Sequence, residues 1–162
     1  MKKGLIIFLL GVIFITVSPP VLGLEGPRVA THQGTVSLSM VGNGGLILGG
    51  EYGLTSRLGI TGRVGAGYSR IGFKFQLRPY LAVMVGATED QYFFLGVIGS
   101  RYLADNLEGI AEATLIAETR EIELEYQLGL HFEITENLEL RGGAIRRGFG
   151  FPSLQLGGGY RF

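Results

Sequence analysis

Ile122–Ile134 reads IELEYQLGLHFEI, and its period decides the fold. Ile122, Leu124, Tyr126, Leu128, Leu130, Phe132 and Ile134 fall on one side of an extended chain; Glu123, Glu125, Gln127, Gly129, His131 and Glu133 fall on the other. A helix repeats its apolar positions every three or four residues, so strict alternation over this length predicts a strand with one apolar face. Shorter runs repeat the signal. VSLSM sets Val36, Leu38 and Met40 against Ser37 and Ser39. LGITGRVGAGY (58–68) sets Leu58, Ile60 and Val64 against Thr61 and Arg63, and IGFKFQLR (71–78) sets Phe73 and Phe75 against Lys74 and Gln76.

The breaks between runs carry turn chemistry. Gly42-Asn43-Gly44-Gly45 accepts positive φ in a tight hairpin. Thr55-Ser56-Arg57, Ala104-Asp105-Asn106 and Thr135-Glu136-Asn137 are alike, each polar and each followed by leucine. If all three lie at one rim, an even number of strands separates any two of them. The count is even throughout only if the chain also turns at Arg78-Pro79, where proline suits a strand boundary. The total is then about ten strands, with eight as the alternative, because the pieces flanking Pro79 are short for spanning strands.

The remaining composition narrows the class. The chain has 162 residues, 28 of them glycine, and neither cysteine nor tryptophan, which excludes disulfides and thiol chemistry. Lys+Arg and Asp+Glu are 14 each, so bulk charge gives no reason to expect a nucleic-acid partner. Mean hydropathy is +0.33. Residues 1–23 have the layout of a cleaved export signal: Lys2 and Lys3, an apolar run from Gly4 to Val17, then Ser18-Pro19-Pro20. As a helix that run reaches about 21 Å, short of a bilayer's ~30 Å hydrocarbon core. Its removal leaves 12 basic against 14 acidic residues, a formal charge of −2, and residues 24–162 as one domain.

The C-terminal LQLGGGYRF resembles the targeting signal of outer-membrane β-barrel proteins, with Gln155, Gly157, Tyr160 and Phe162 in the motif positions. The resemblance implies an all-β, transmembrane, up-and-down antiparallel barrel of the porin-like kind, located in the cell outer membrane. It also implies that the assembly machinery reads the last strand, which pairs with the first to close the barrel. The expected partners are outer-membrane lipids and that machinery, with the chain a monomer and no nucleic acid bound.

Alternation alone leaves the orientation open. A soluble periplasmic lipocalin-like barrel turns its apolar face inward around a hydrophobic ligand. Outward apolar faces are favoured by their near freedom from charge, Arg146 at a strand end being the exception, and by aromatics near strand ends. Those are Tyr52, Tyr102, Phe132, Tyr160 and Phe162 toward one rim and Tyr68, Phe73, Tyr92 and Phe94 toward the other. Between Tyr80 and Leu103 both faces are apolar. Taking Arg101 as inward places Tyr92, Phe94 and Ile98 outward, with Phe93, Leu95 and Val97 inside.

The polar faces then line the lumen. Bases gather on the third and fourth strands and acids on the seventh and eighth; the third and eighth stand opposite each other in a ten-strand cylinder. Arg63 and Lys74 are therefore expected to reach Glu123 and Glu125, with Arg141 in the same charge network, filling a barrel too narrow for a large pore. A structural, binding or narrow-transport role follows. A lipid-modifying barrel enzyme is the remaining alternative, but no serine stands two residues from His131, and no catalytic residue is assigned. His131 is expected to bond a neighbouring glutamate. No cofactor or metal is expected, because two histidines and scattered carboxylates make no ligand set. The loop Arg146–Ser153 combines basic and aromatic groups and is a candidate for headgroup contact.

Overall fold

The computed structural model describes residue 28 and residues 30–42, 45–65, 68–118, 121–148 and 151–162, residue 68 by its backbone alone. The expected export signal (1–23), the tips at Asn43-Gly44 and Thr119-Arg120 and residues 149–150 lie outside the described residues.

Ten strands follow in order: β1 (Gly34–Val41), β2 (Leu46–Gly53), β3 (Leu58–Gly65), β4 (Tyr68–Arg78), β5 (Leu81–Thr88), β6 (Phe93–Ala104), β7 (Leu107–Ala117), β8 (Ile122–Glu133), β9 (Leu138–Arg147) and β10 (Ser153–Arg161). Each pairs antiparallel with its neighbour in sequence, and β10 pairs with β1, so the sheet is a closed up-and-down barrel. Closure leaves no unpaired edge to attract another chain. The chain turns at Pro79-Tyr80 as the parity of the turns requires, and ten strands rather than eight result.

Local chemistry places the turns. In Thr55-Ser56-Arg57 the Thr55 hydroxyl accepts the N–H groups of Arg57 at 3.2 Å and Leu58 at 3.0 Å. Thr135 does the same for Asn137 at 3.3 Å and Leu138 at 3.0 Å. The hydroxyl substitutes for a ladder partner; both turns follow an even-numbered strand of the up-and-down barrel and so lie at the same rim. At the opposite rim β3 ends at Gly65, whose φ of 118° suits glycine and few other residues.

The apolar face points outward. Leu128, Leu130, Leu140, Leu154, Leu156 and Phe73 are exposed, whereas Lys74, Glu125, Glu139 and Arg141 are buried inside. This is the reverse of the arrangement a lipocalin-like ligand barrel needs. On the outward positions of the strands only Arg101 and Arg146 are charged, one near each end of the cylinder.

β6 departs from the expected phase. Phe94 is 2% exposed and Phe93 72%; Ile98 is buried, while Leu95 and Val97 face out. The anchor for the other assignment, Arg101, lies at the turn end of the strand and is exposed. A cation beyond the apolar belt can face outward, so it does not fix the phase of the residues before it. Room on the neighbouring strands decides it. Phe94 pairs with Gly86 and Gly86 with Gly72, and a Cβ at either glycine would meet the Phe94 ring. With Ala82, Met84, Ile98 and Ile116 that ring forms an apolar core inside the barrel, against which Tyr92 packs.

Candidate functional site

The lumen is the candidate site, and its centre is a charge cluster bridging opposite walls. Arg63 and Arg70 are direct partners on β3 and β4, a like-charge pairing that destabilises unless acids answer it. Glu112 on β7 and Glu125 on β8 answer it. Arg63 Nη1 donates to Glu125 at 3.3 Å and Nη2 to Glu112 at 3.3 Å. Arg70 donates to Glu125 at 3.4 Å, to the Thr114 hydroxyl at 3.3 Å, and to Glu112. The Arg70 guanidinium also lies 5.3 Å from the Phe94 ring centroid. Two guanidiniums and two carboxylates meet across the lumen with no net charge among them, and Glu125 is 1% exposed.

Nearer the turn end the partners differ from the expected ones. Lys74, 0% exposed, bonds Glu51 on β2 and the Arg28 carbonyl at 3.1 Å, not Glu123 or Glu125. The residues before β1 bring that carbonyl over Lys74, and the shorter reach to Glu51 takes the ammonium. Glu123 lies at the loop rim, where Arg147 binds it at 2.5 Å and Glu118 at 3.2 Å. Arg141 bonds Glu139 on its own strand, and Arg161 reaches Glu139 at 3.2 Å and Glu133 at 2.9 Å. Of the five residues expected to form one network, only Arg63 and Glu125 meet.

His131 faces the lumen, but its Nδ1 stands 3.9 Å from Glu139 Oε2, beyond hydrogen-bond distance, so the expected bond to a glutamate is not formed. The Ser100 hydroxyl is held by Glu108 at 2.5 Å. Among the described residues no group of three or more His, Cys, Asp or Glu side chains is placed to hold a metal ion.

Arg70 and Glu112 carry half of the central cluster. Glu112 was legible as an inward acid, whereas Arg70 fell between two runs. Its signal was phase: residues 70, 72, 74 and 76 share one face once β3 ends at Gly65 and β4 begins at Tyr68.

The C-terminal motif residues lie on β10. Gln155 is buried inside, Gly157 pairs with Ser39 and Tyr160 with Val36. Phe162 exchanges backbone bonds with Gly34 at 2.9 and 3.0 Å, and its ring covers that glycine. On the outer wall Arg146 donates to the Tyr126 hydroxyl at 3.2 Å and to the Gly148 carbonyl at 3.0 Å.

No family model matches the chain, and no curated protein matches it. Among solved structures it is similar to the KdgM porin, with a TM-score of 0.51 at 10% identity over 80% of this chain and 99% of the porin. A KdgM porin in complex with disordered oligogalacturonate gives a TM-score of 0.51 at 12% identity, over 83% of this chain and 87% of that one. At such identities the likeness is one of fold alone: the chain shares the closed β-barrel architecture of these outer-membrane proteins.

Proposed function

We infer that this chain is a small outer-membrane barrel whose lumen is closed to free diffusion, so that it serves as a structural or binding element of the membrane. The Arg63–Arg70–Glu112–Glu125 cluster carries the reading, because it bridges opposite walls inside an apolar exterior. A bilayer is the environment that an outward belt of leucine and aromatics requires, with Arg101 and Arg146 at headgroup level. Barrels near this strand number have interiors that side chains nearly fill; aqueous channels belong to larger ones. The apolar core around Phe94 fills the wall that the charges leave.

The closed sheet satisfies its own edges, which supports a monomer. The β1–β10 seam supports the reading of the last strand as the closing strand that assembly machinery handles. A non-enzymatic role accords with Ser100 being held by Glu108 rather than by His131.

Two measurements test the proposal. The protein should fractionate with outer membranes, need detergent for extraction, and shift its gel migration on boiling. Reconstituted in planar bilayers, it should show no steady large conductance. A stable open channel in the unmodified chain overturns the closed-lumen reading.

A further inference from the structure

At the turn end of the barrel, the quarter from β3 to β6 carries three exposed arginines: Arg57 before β3, Arg78 at the end of β4 and Arg101 near the end of β6. The backbone sets them side by side. The Arg57 carbonyl accepts the Gln76 N–H at 2.8 Å, Arg78 pairs with Leu81 on β5, and the Tyr80 carbonyl accepts the Ser100 N–H at 3.0 Å. With neighbouring strands about 4.8 Å apart, the three span an arc of roughly 15 Å.

The barrel's two register shifts among the described residues both fall in this arc, one between Gln76 and Arg78 on β4 and the other between Tyr102 and Ala104 on β6. A register shift breaks the alternation of faces and re-aims side chains. Leu77 and Arg78 are exposed in succession, and so are Arg101, Tyr102 and Leu103. The ion pairs at this rim use another cation, Arg161 with Glu133 and Glu139. Arg57, Arg78 and Arg101 make none among the described residues. Asp105, in the β6–β7 turn, is the one acid along the arc, and it stands at its edge. The other end of the same quarter has the opposite sign, for the β5–β6 loop presents exposed Glu89 and Asp90.

We propose that this arc binds the phosphate headgroups of anionic phospholipids and so selects them for the lipid layer at the turn end; the proposal rests on the membrane reading above. A guanidinium matches a phosphate through two parallel N–H donors. The neighbours of these arginines decide between a lipid and a soluble acidic partner. Leu77 is 55% exposed, Tyr80 60% and Leu103 58%, each within two residues of Arg78 or Arg101. Apolar side chains that reach hydrocarbon beside cations that reach upward are the layout of a membrane interface. A soluble acidic partner needs cations that stand clear of such a belt.

The chain has no tryptophan, so one placed at Tyr80 reports on the arc alone. In vesicles, phosphatidylglycerol with brominated acyl chains should quench Tyr80→Trp more strongly than brominated phosphatidylcholine. The relative binding constant should be about threefold or more at low salt, falling toward one as salt rises. Phe93→Trp, exposed at the loop end of β6 next to Glu89 and Asp90, should show no such preference. Arg78→Gln with Arg101→Gln should remove the preference at Tyr80→Trp, and Arg78→Lys with Arg101→Lys should keep it. The boiling-dependent gel shift confirms that each variant folds. Equal quenching by the two lipids at Tyr80→Trp, an equal preference at Phe93→Trp, or a preference that survives both glutamines overturns the proposal. So does a Tyr80→Trp that neither lipid quenches while Leu128→Trp is quenched, because the arc then faces water and suits a soluble acidic partner. If Leu128→Trp is not quenched either, the membrane reading fails with it.

Discussion

Arg63 on β3 and Glu125 on β8 stand on opposite walls of the barrel, five strands apart in a closed order of ten, and their side chains meet at 3.3 Å. Both are buried, and Glu125 also holds Arg70. Removing one member strands the others, and the loss of one partner from a buried ion pair costs about 3–5 kcal/mol. Glu125→Ala should therefore lower the free energy of folding into liposomes by about that much. The fourfold replacement Arg63→Met, Arg70→Met, Glu112→Leu and Glu125→Leu should recover most of it, because no charge is then left unanswered. Urea titration checks both. Equal stability of Glu125→Ala and the unmodified chain, within about 0.5 kcal/mol, would show that water rather than Arg63 satisfies the carboxylate.

Two glycines inside the wall should respond differently to the same added methyl group. At Gly86 a Cβ would run into the Ile71 carbonyl and the Gly72 Cα as well as the Phe94 ring, so backbone must move. At Gly96 it meets the Thr114 hydroxyl at 2.8 Å and the flexible tip of Met84 at 3.0 Å, and the nearest backbone atom, the Ala113 carbonyl, stands at an ordinary 3.5 Å. Gly86→Ala is expected to cost about 2–3 kcal/mol and Gly96→Ala less than about 1. Phe94→Ala in the Gly86→Ala background should not restore stability, since the backbone contact remains. Full rescue would assign the glycine to the ring alone.

Much of this barrel was legible because a strand's period of two is a local property. The two faces of β8 follow from residues within a few positions of each other, and the turn beside Pro79 from that proline together with the parity of the other turns. The Arg63–Glu125 contact was legible too, since counting strands around a cylinder says which walls face. What failed depended on non-local space. The phase of β6 is set by Gly72 and Gly86 on other strands, which make the hollow that receives Phe94. Lys74 was assigned by charge and by which walls face each other, but it bonds Glu51 on β2 and the Arg28 carbonyl, and the segment that brings that carbonyl has no period to read. The first and last strands, where LQLGGGYRF suggested closure, meet at Gly34 and Phe162.

The outer wall carries its own expectation. Leu128 is exposed at the middle of β8, and Ile122 is exposed at its loop end. An arginine facing lipid near the midplane costs about 2–4 kcal/mol, falling to about 0–1 near the interface. Leu128→Arg should be destabilised by the larger amount in liposomes and Ile122→Arg by the smaller, as measured by the denaturant dependence of the boiling-sensitive gel band. A Leu128→Arg barrel as stable as the unmodified one would mean that water, not hydrocarbon, lies against β8, and the membrane reading would go with it.

Phe162 separates a structural role from a targeting one. Its backbone closes the seam with Gly34 through two hydrogen bonds, and its ring lies over that glycine at the rim. Seven further residue pairs hold β10 to β1 without it, from Thr35 with Arg161 to Val41 with Gln155. Phe162→Ala keeps the backbone bonds and loses only a rim contact, so refolding in detergent should yield a closed, heat-modifiable barrel with stability reduced by about 1 kcal/mol. In cells the same variant should accumulate poorly in the outer membrane if the assembly machinery recognises that ring. Quantifying folded protein in both settings decides between the roles. A large loss in cells alone marks a recognition element, whereas matched losses in both settings would reduce Phe162 to a packing residue of the β1–β10 seam.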